Sequence, residues 1–322
     1  MEAPGLSQET VHGNLGLQQF LANSLQYSRD LSTGYVKGKK WYVDGDAGGS
    51  GNGKTWKSPF KTFAEAVAAL SDDDHIYIAP GTYNEGVTHT ITENNVKIIG
   101  AMAGNQLAVK ANLASYVDGD DEGSEDLLQL DGEGIEVFNL LFQLGNGYWG
   151  IKVGDDVNPS GINIHGCYFY SGAQGGGKGV EMGRRDGTQG NAVSMMVDNN
   201  IFFKCGVGVS MDGSRQTVRN NLFLAYGQTS IQVKNPQAGS QRGMQMILNN
   251  KFIVTRSPDG ERGIKFAGTP TVGTVMVDGN SFMNFEDATH AVDKLAGYGG
   301  RNWYNDQFLT DANPPVATNW FA

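Results

Sequence analysis

The sequence predicts an all-β chain folded as a single right-handed parallel β-helix, a solenoid of stacked coils. Three observations predict it: a short strand-and-turn unit recurs along most of the chain, a phenylalanine returns in each copy, and long amphipathic helical windows are missing after about residue 70. The 46 glycines among 322 residues fit a protein of strands and turns rather than a helical bundle.

The unit reads apolar-x-apolar-x-N-N-x-F. It stands as SMMVDNNIF at 194–202, QTVRNNLF at 216–223, QMILNNKF at 245–252 and TVMVDGNSF at 274–282, and in worn form as RNWYNDQF at 301–308. IEVFNLLF (135–142) and INIHGCYF (162–169) fit the same frame upstream. The aromatic column is then Phe142, Phe169, Phe202, Phe223, Phe252, Phe282 and Phe308, in steps of 27, 33, 21, 29, 30 and 26 residues, each suited to one coil. Asn200, Asn221, Asn250 and Asn280 fall at the turn, where asparagine tolerates left-handed backbone and its amide can bond the equivalent asparagine one coil away.

A further strand follows each unit: GIKV (150–153), GVEM (179–182), GVSM (208–211), SIQV (230–233) and GIKF (263–266). Alternate strand residues face opposite sides, so Ile151, Val180, Val209, Ile231 and Ile264 should stack inward. Lys152, Glu181, Ser210, Gln232 and Lys265 should form a wet outward column.

Residues 41–43 read as the first strand. SPFKTFAEAVAAL (58–70) then reads as a short helix with Phe63, Val67 and Leu70 on one face, suited to plug the open end of the solenoid. The organisation expected is an N-terminal arm over 1–40, the β-helix over 41–310 and a tail over 311–322. WYVDGDAGGSGNGKTWKSPFKTFAEAV, followed by HIYIAPGTYNEG (75–86) and the NNxF units, resembles the pectate-lyase-like right-handed β-helix superfamily across roughly residues 41–310. The resemblance implies the fold and leaves the activity open, because that superfamily holds polysaccharide lyases and hydrolases, phage tailspikes and non-catalytic virion proteins.

Charge narrows the partners. Lys and Arg number 24 against 34 Asp and Glu, a net −10 that repels a nucleic-acid backbone. No apolar run approaches the roughly 20 residues of a membrane span. MEAPGLSQET has neither the basic flank nor the apolar core of a secretory signal, so synthesis in the cytoplasm is expected. Cys167 and Cys205 are too few and too far apart for a zinc cluster or a disulfide framework, and read as buried free thiols.

GGSGNGKT (48–55) matches a phosphate-binding loop letter for letter. Polar Asp44 to Asp46 precede it, and Trp56 to Pro59 intervene before any helix, so it reads as a Gly-rich connection and no nucleotide cofactor is expected. Asp118 to Asp126 has oxygens at calcium-loop spacing, but Gln129 stands where a bidentate glutamate is required; it reads as a solvated acidic excursion. The five histidines, His12, His75, His89, His165 and His290, are scattered and predict no shared metal. The resemblance implies that catalysis, where present, would use an acidic calcium cluster with a basic residue, or paired carboxylates in a groove. The outward column with Arg184, Arg185, Asp186, Asp212 and Arg215 holds no such cluster; Glu181 with Asp212 is the nearest approach to a carboxylate pair, and no catalytic residue is assigned. Tyr148, Trp149 and Tyr170, near the SGAQGGGKG loop, are candidates for stacking on sugar.

Asn14 to Leu31 reads as a helix with a narrow apolar stripe, and Leu17, Phe20, Leu21 and Leu25 are the predicted partner-docking residues. With the resemblance to phage members, this leads to the expectation of a non-enzymatic capsid decoration protein on the virion surface, held to the major capsid protein or another virion protein and self-associated as a homotrimer. The alternative is a tailspike-like depolymerase, or a sugar-binding adhesin, with a surface polysaccharide on the β-helix.

Overall fold

The computed structural model describes residues 37–101, 111–114, 125–154, 159–172, 176–183, 193–225, 229–234, 245–254, 262–267, 275–285, 291–293, 298–299, 302–304 and 307–308. The arm with Leu17, Phe20, Leu21 and Leu25, the tail 311–322, most of the acidic stretch 118–126, and Arg184 to Asp186 lie outside the described residues.

The chain is a right-handed parallel β-helix with three sheets, among the described residues two of ten strands and one of eight, in which every strand but the last, Gln307–Phe308, pairs in parallel with its counterpart one coil away. One coil shows the plan. Val193–Asp198 lies in sheet 1, a two-residue turn leads to Ile201–Phe203 in sheet 2, and Val207–Met211 follows in sheet 3. The recurring unit is therefore two strands joined by a turn, and the second strand read from the sequence is the third side of the coil.

The turn explains the doubled asparagine by dividing the labour. Its first residue carries the left-handed backbone: Asn139, Asn199, Asn220 and Asn249 have φ between 54° and 58°, with Gly166 and Gly279 in the equivalent places. Its second residue points inward and forms the ladder. Asn200, Asn221, Asn250, Asn280 and Asn302 are buried, and each of the first four donates from Nδ2 to Oδ1 of the next at 3.0–3.1 Å. The same Oδ1 also accepts the backbone N–H of the asparagine one coil before it, at 2.8–3.0 Å. The two roles assigned to Asn200, Asn221, Asn250 and Asn280 thus belong to neighbouring residues.

Inside, Phe142, Phe169, Phe202, Phe223, Phe252 and Phe282 stack with centroids 4.7–4.9 Å apart and planes within 7°. This equals the strand spacing of a sheet, so the rings ride on the backbone repeat. Ring and backbone together dictate the glycine near the start of these sheet 3 strands. A Cβ at Gly179, Gly208 or Gly263 would lie 2.3, 2.5 or 2.4 Å from the carbonyl oxygen of Gly208, Ser230 or Ala291 on the next coil, and 2.7, 2.7 or 2.9 Å from the ring of Phe202, Phe223 or Phe282. The inward column Ile151, Val180, Val209, Ile231 and Ile264 is fully buried and in register, as expected.

The last coil corrects the expected column. Phe308 does not continue it: Phe282 pairs with Tyr304, and Gln307–Phe308 turns back antiparallel on Trp303–Tyr304. The asparagine ladder sets this register, because Asn280 bonds Asn302, two residues before Tyr304.

At the other end, the capping helix is shorter than expected, Phe63–Ala68, and buries Phe63 and Ala66 while Val67 and Leu70 pack only partly. Thr62 and Glu65 form a capping box, and the Glu85 carboxylate accepts the N–H groups of Phe63 and Ala64 at 2.5 and 2.9 Å. The GGSGNGKT loop has a structural task. Gly53 O accepts from Tyr42 N and Phe60 N donates to Tyr42 O, so residues 53–60 cover the open edge of the first strand, Lys40–Val43. Gly51 and Gly53 spend their own N–H groups on Pro59 and Ser58, leaving neither for a phosphate.

Candidate functional site

The outward column of sheet 3 keeps its predicted register, Lys152, Glu181, Ser210, Gln232 and Lys265. It is not wet throughout. Glu181 and Ser210 are buried, and Glu181 Oε1 meets Lys234 Nζ at 3.0 Å from two coils away. Lys152 turns toward Asp126, whose other oxygen accepts the Trp149 N–H at 2.7 Å. Glu181 is thus committed to a buried ion pair and is out of reach of a substrate, which corrects its candidacy as half of a carboxylate pair with half-buried Asp212.

The polar constellation lies instead on the outward face of sheet 1, near the N-terminal end. Successive coils place His75, Lys97, Glu136 and Asn163 in one row, and Tyr42, Tyr77, Ile99, Phe138 and His165 in the next. Glu136 is the hub. Its Oε2 lies 2.6 Å from Lys97 Nζ and its Oε1 lies 2.7 Å from His165 Nε2, which carries the proton of that bond because a carboxylate only accepts. Burial would raise the Glu136 carboxyl, but the hydrogen bonds from His165 and Lys97, and the charge beside it, hold it down at about 2. The His165 ring stacks on Phe138 at 4.6 Å, which fixes its plane.

His75 sits at the other end of the row. Burial, with the positive charges of Lys97 and Lys40 beside it, pushes its pKa down to about 4, so the ring is neutral at pH 7. Its Nδ1 and the Oδ1 of Asn163, three rungs away, are buried without a hydrogen-bond partner.

Beyond His75 the face turns aromatic. Tyr77 stacks on Tyr42 at 5.6 Å, and Tyr42 meets the edge of Trp56 at 4.8 Å. Trp56 is 45% exposed, so this ramp presents aromatic surface beside a fixed charge pair. Flat apolar surface with convergent polar groups suits the alternating C–H and hydroxyl faces of a sugar.

The sequence reading missed this site, because it followed the outward residues of sheet 3 alone. The signal was present: HIYI, VKIIG, IEVFN and INIHG, written in the strand frame, place His75, Lys97, Glu136 and Asn163 at one outward position. His75 and His165 share this face with Glu136 between them; His89 packs separately, against Phe63 and 3.6 Å from Glu85. Among the described residues, no three or more His, Cys, Asp or Glu side chains converge as a metal site. Cys167 and Cys205 are buried free thiols, as expected, and burial raises the Cys205 thiol. Of the predicted stacking aromatics, Tyr148 is exposed, Trp149 lies under Lys178 Nζ at 5.4 Å and Tyr170 stacks on Phe203 at 5.8 Å, so the three do not gather into one surface.

Comparison with known proteins supports the fold. Solved structures that resemble the chain include a rhamnogalacturonan lyase (13% identity, TM-score 0.60, covering 84% of this chain and 74% of the other) and a pectate lyase (15%, 0.54, 84% and 77%). The pectin methylesterase from carrot is similar at 14% identity and TM-score 0.52, over 85% of each chain. At such identities the likeness establishes a shared architecture. Comparison with curated proteins returns no match. The family described as a protein of unknown function (DUF1565) matches residues 43–283, which span most of the β-helix, and the chain belongs to that family.

Proposed function

We propose that this protein binds a polysaccharide along the outward face of sheet 1, with Trp56, Tyr42 and Tyr77 as the stacking surface and Lys97 with Glu136 as the polar anchor. The observation that carries the reading is the exposed Trp56 continuing the Tyr42 and Tyr77 stack on the face whose next rungs hold Lys97, Glu136 and His165. The names of the solved structures that share the fold, two polysaccharide lyases and a pectin methylesterase, favour a glycan over other flat ligands.

Binding without cleavage fits the chemistry of this face best. Glu136 stays ionised at neutral pH, so it has no proton to give a leaving group, and Lys97 and His165 each hold one of its oxygens, which leaves the remaining lone pairs to accept a sugar hydroxyl. The test is a panel of neutral and acidic polysaccharides in affinity electrophoresis, with reducing ends and unsaturated products assayed in parallel. Retardation by at least one polysaccharide, lost in Trp56→Ala and without new products, is the expected result. No retardation by any polysaccharide, or retention unchanged in Trp56→Ala, overturns the reading.

Attachment of such a module to a virion rests on the resemblance to phage members and on the stripe Leu17, Phe20, Leu21 and Leu25, which lies outside the described residues. Incorporation of Leu21→Asp/Leu25→Asp protein into particles tests that role: undiminished incorporation removes it.

A further inference from the structure

The polar row on sheet 1 is lopsided in charge along the solenoid axis. Lys40, His75 and Lys97 stand on three successive rungs of the outward face, and Glu136 and Asn163 follow on the next two. The carboxylates around His75 are already engaged: Asp74 accepts from Lys39 N, Trp41 Nε1 and Ser71 N, and Glu136 is held by Lys97 and His165. Lys40 is different. It is exposed, and among the described residues its ammonium forms no ion pair. In a chain of net charge −10, the Lys40 end of this row is therefore locally positive.

His75 supplies a second, independent observation. Its ring is 9% exposed, and its Nδ1 is buried without a hydrogen-bond partner. A neutral imidazole has one N–H and one lone pair to offer, and its surroundings select the group that meets them. Ammonium groups on both neighbouring rungs repel a metal ion or a cationic ligand and attract an acceptor that carries negative charge. Burial and these two ammonium groups, whose effect on the ring exceeds that of Glu136 and Asp74, bring the His75 pKa down to about 4.

We propose that Lys40, His75 and Lys97 form an oxyanion site, in which a carboxylate, sulfate or phosphate group accepts a hydrogen bond from His75 Nδ1–H and lies between the two ammonium groups. The two lysine backbones are two rungs apart, about 10 Å, and each stem is long enough to bring its ammonium to the ring between them. Lys97 keeps Glu136 while it binds, because an ammonium has three protons to donate and Glu136 takes one. Lys40, with no partner to give up, is the group that closes on the anion. The oxyanion is either free in solution or a substituent of the polysaccharide, and only the second source rests on the function proposed above.

NMR of the histidine rings in the full chain tests the site, with the His75 resonances identified by their loss in His75→Gln. Sodium phosphate, sulfate and acetate are titrated in turn against sodium chloride at equal ionic strength. The His75 resonances should move saturably with at least one of the three oxyanions and not with chloride, and at saturation the His75 pKa should rise toward its ordinary value. Lys40→Gln should lower the affinity at least ten-fold with an unchanged melting temperature, since the side chain is exposed, and Lys40→Arg, which keeps the charge, should bind like the wild type. No saturable movement, equal movement with chloride, or unchanged affinity in Lys40→Gln overturns the proposal. So does a loss in Lys40→Arg as large as in Lys40→Gln, since charge is then not the cause. Affinity electrophoresis separates the two sources once the site is shown. Retardation by a carboxylated or sulfated polysaccharide that Lys40→Gln relieves assigns the anion to the glycan. Retardation that Trp56→Ala relieves and Lys40→Gln does not assigns the site to a free anion, and retardation by no polysaccharide removes the glycan reading while the oxyanion site stands.

Discussion

Asn221 Oδ1 accepts two hydrogen bonds from Asn200 on the preceding coil, from its backbone N–H at 2.8 Å and from its Nδ2 at 3.1 Å, while both asparagines are buried. One oxygen therefore holds two donors that have no water to turn to. Asn221→Ala leaves both unsatisfied and also deletes the bond from Asn221 Nδ2 to Val197 O, so a loss of about 3 to 5 kcal/mol is expected in chemical denaturation. Asn302→Ala, at the last rung, should cost about as much, because its Oδ1 likewise holds two donors of Asn280 and its Nδ2 bonds Val277 O.

The phenylalanine stack makes a companion prediction. Phe202→Ala removes a ring held between Phe169 and Phe223 at 4.8 Å on each side and should destabilise by about 3 to 5 kcal/mol; Phe202→Leu, which refills much of the space, should cost less. The measurement is the shift in denaturation midpoint at constant slope.

Acid should weaken the protein in two steps. The neutral His75 has its pKa lowered from 6.5 to about 4, so the unfolded chain binds that proton first and stability falls as pH drops from 6.5 to 4, by about 3 kcal/mol at most. The Glu136 carboxyl is lowered from 4.5 to about 2, so its contribution, of similar size, is whole above 4.5 and is lost between 4.5 and 2. Melting temperature against pH should show the upper step vanish in His75→Gln and the lower step in Glu136→Gln. Persistence of the upper step in His75→Gln would assign it to another group.

At the helix cap, Glu85→Ala frees the N–H groups of Phe63 and Ala64 and should cost about 1 to 2 kcal/mol. Glu85→Gln, which keeps an acceptor oxygen, should recover part of the loss in the same thermal melt.

For the binding face, Tyr77→Ala should weaken polysaccharide affinity by roughly ten-fold and Lys97→Ala by a similar factor, whereas Tyr170→Ala, on another face, should leave it unchanged. Titration calorimetry with the polysaccharide that retards the wild type checks all three.

Repetition made the fold legible before any coordinates. The inward column from Ile151 to Ile264 and the ring column from Phe142 to Phe282 follow from a period that each coil restates, so one error in one copy is corrected by the others. RNWYNDQF misled at the end of the series, where no later copy existed to correct it. Aligning its last Phe gave Phe308, while the asparagine ladder places Asn302 beside Asn280 and so pairs Tyr304 with Phe282. The candidate site was harder to read because its parts are single occurrences. Lys97, Glu136 and His165 meet across 39 and 29 residues of chain, and nothing in the spacing distinguishes them from the solvated charges around them. Only the rung register, which depends on the length of every intervening loop, brings them together.

The backward turn of Gln307–Phe308 also bears on what the protein does not become. A stack of parallel strands is its own template: the last coil offers the same surface that every coil before it used, and a neighbouring molecule could be copied onto it without limit. On sheet 2 that surface is taken by a two-residue strand of opposite polarity, and at the other end of the rod residues 53–60 take the edge of Lys40–Val43. An incoming parallel strand finds its donors and acceptors already engaged at both places, so fibre growth by end-to-end addition has no start along these two edges.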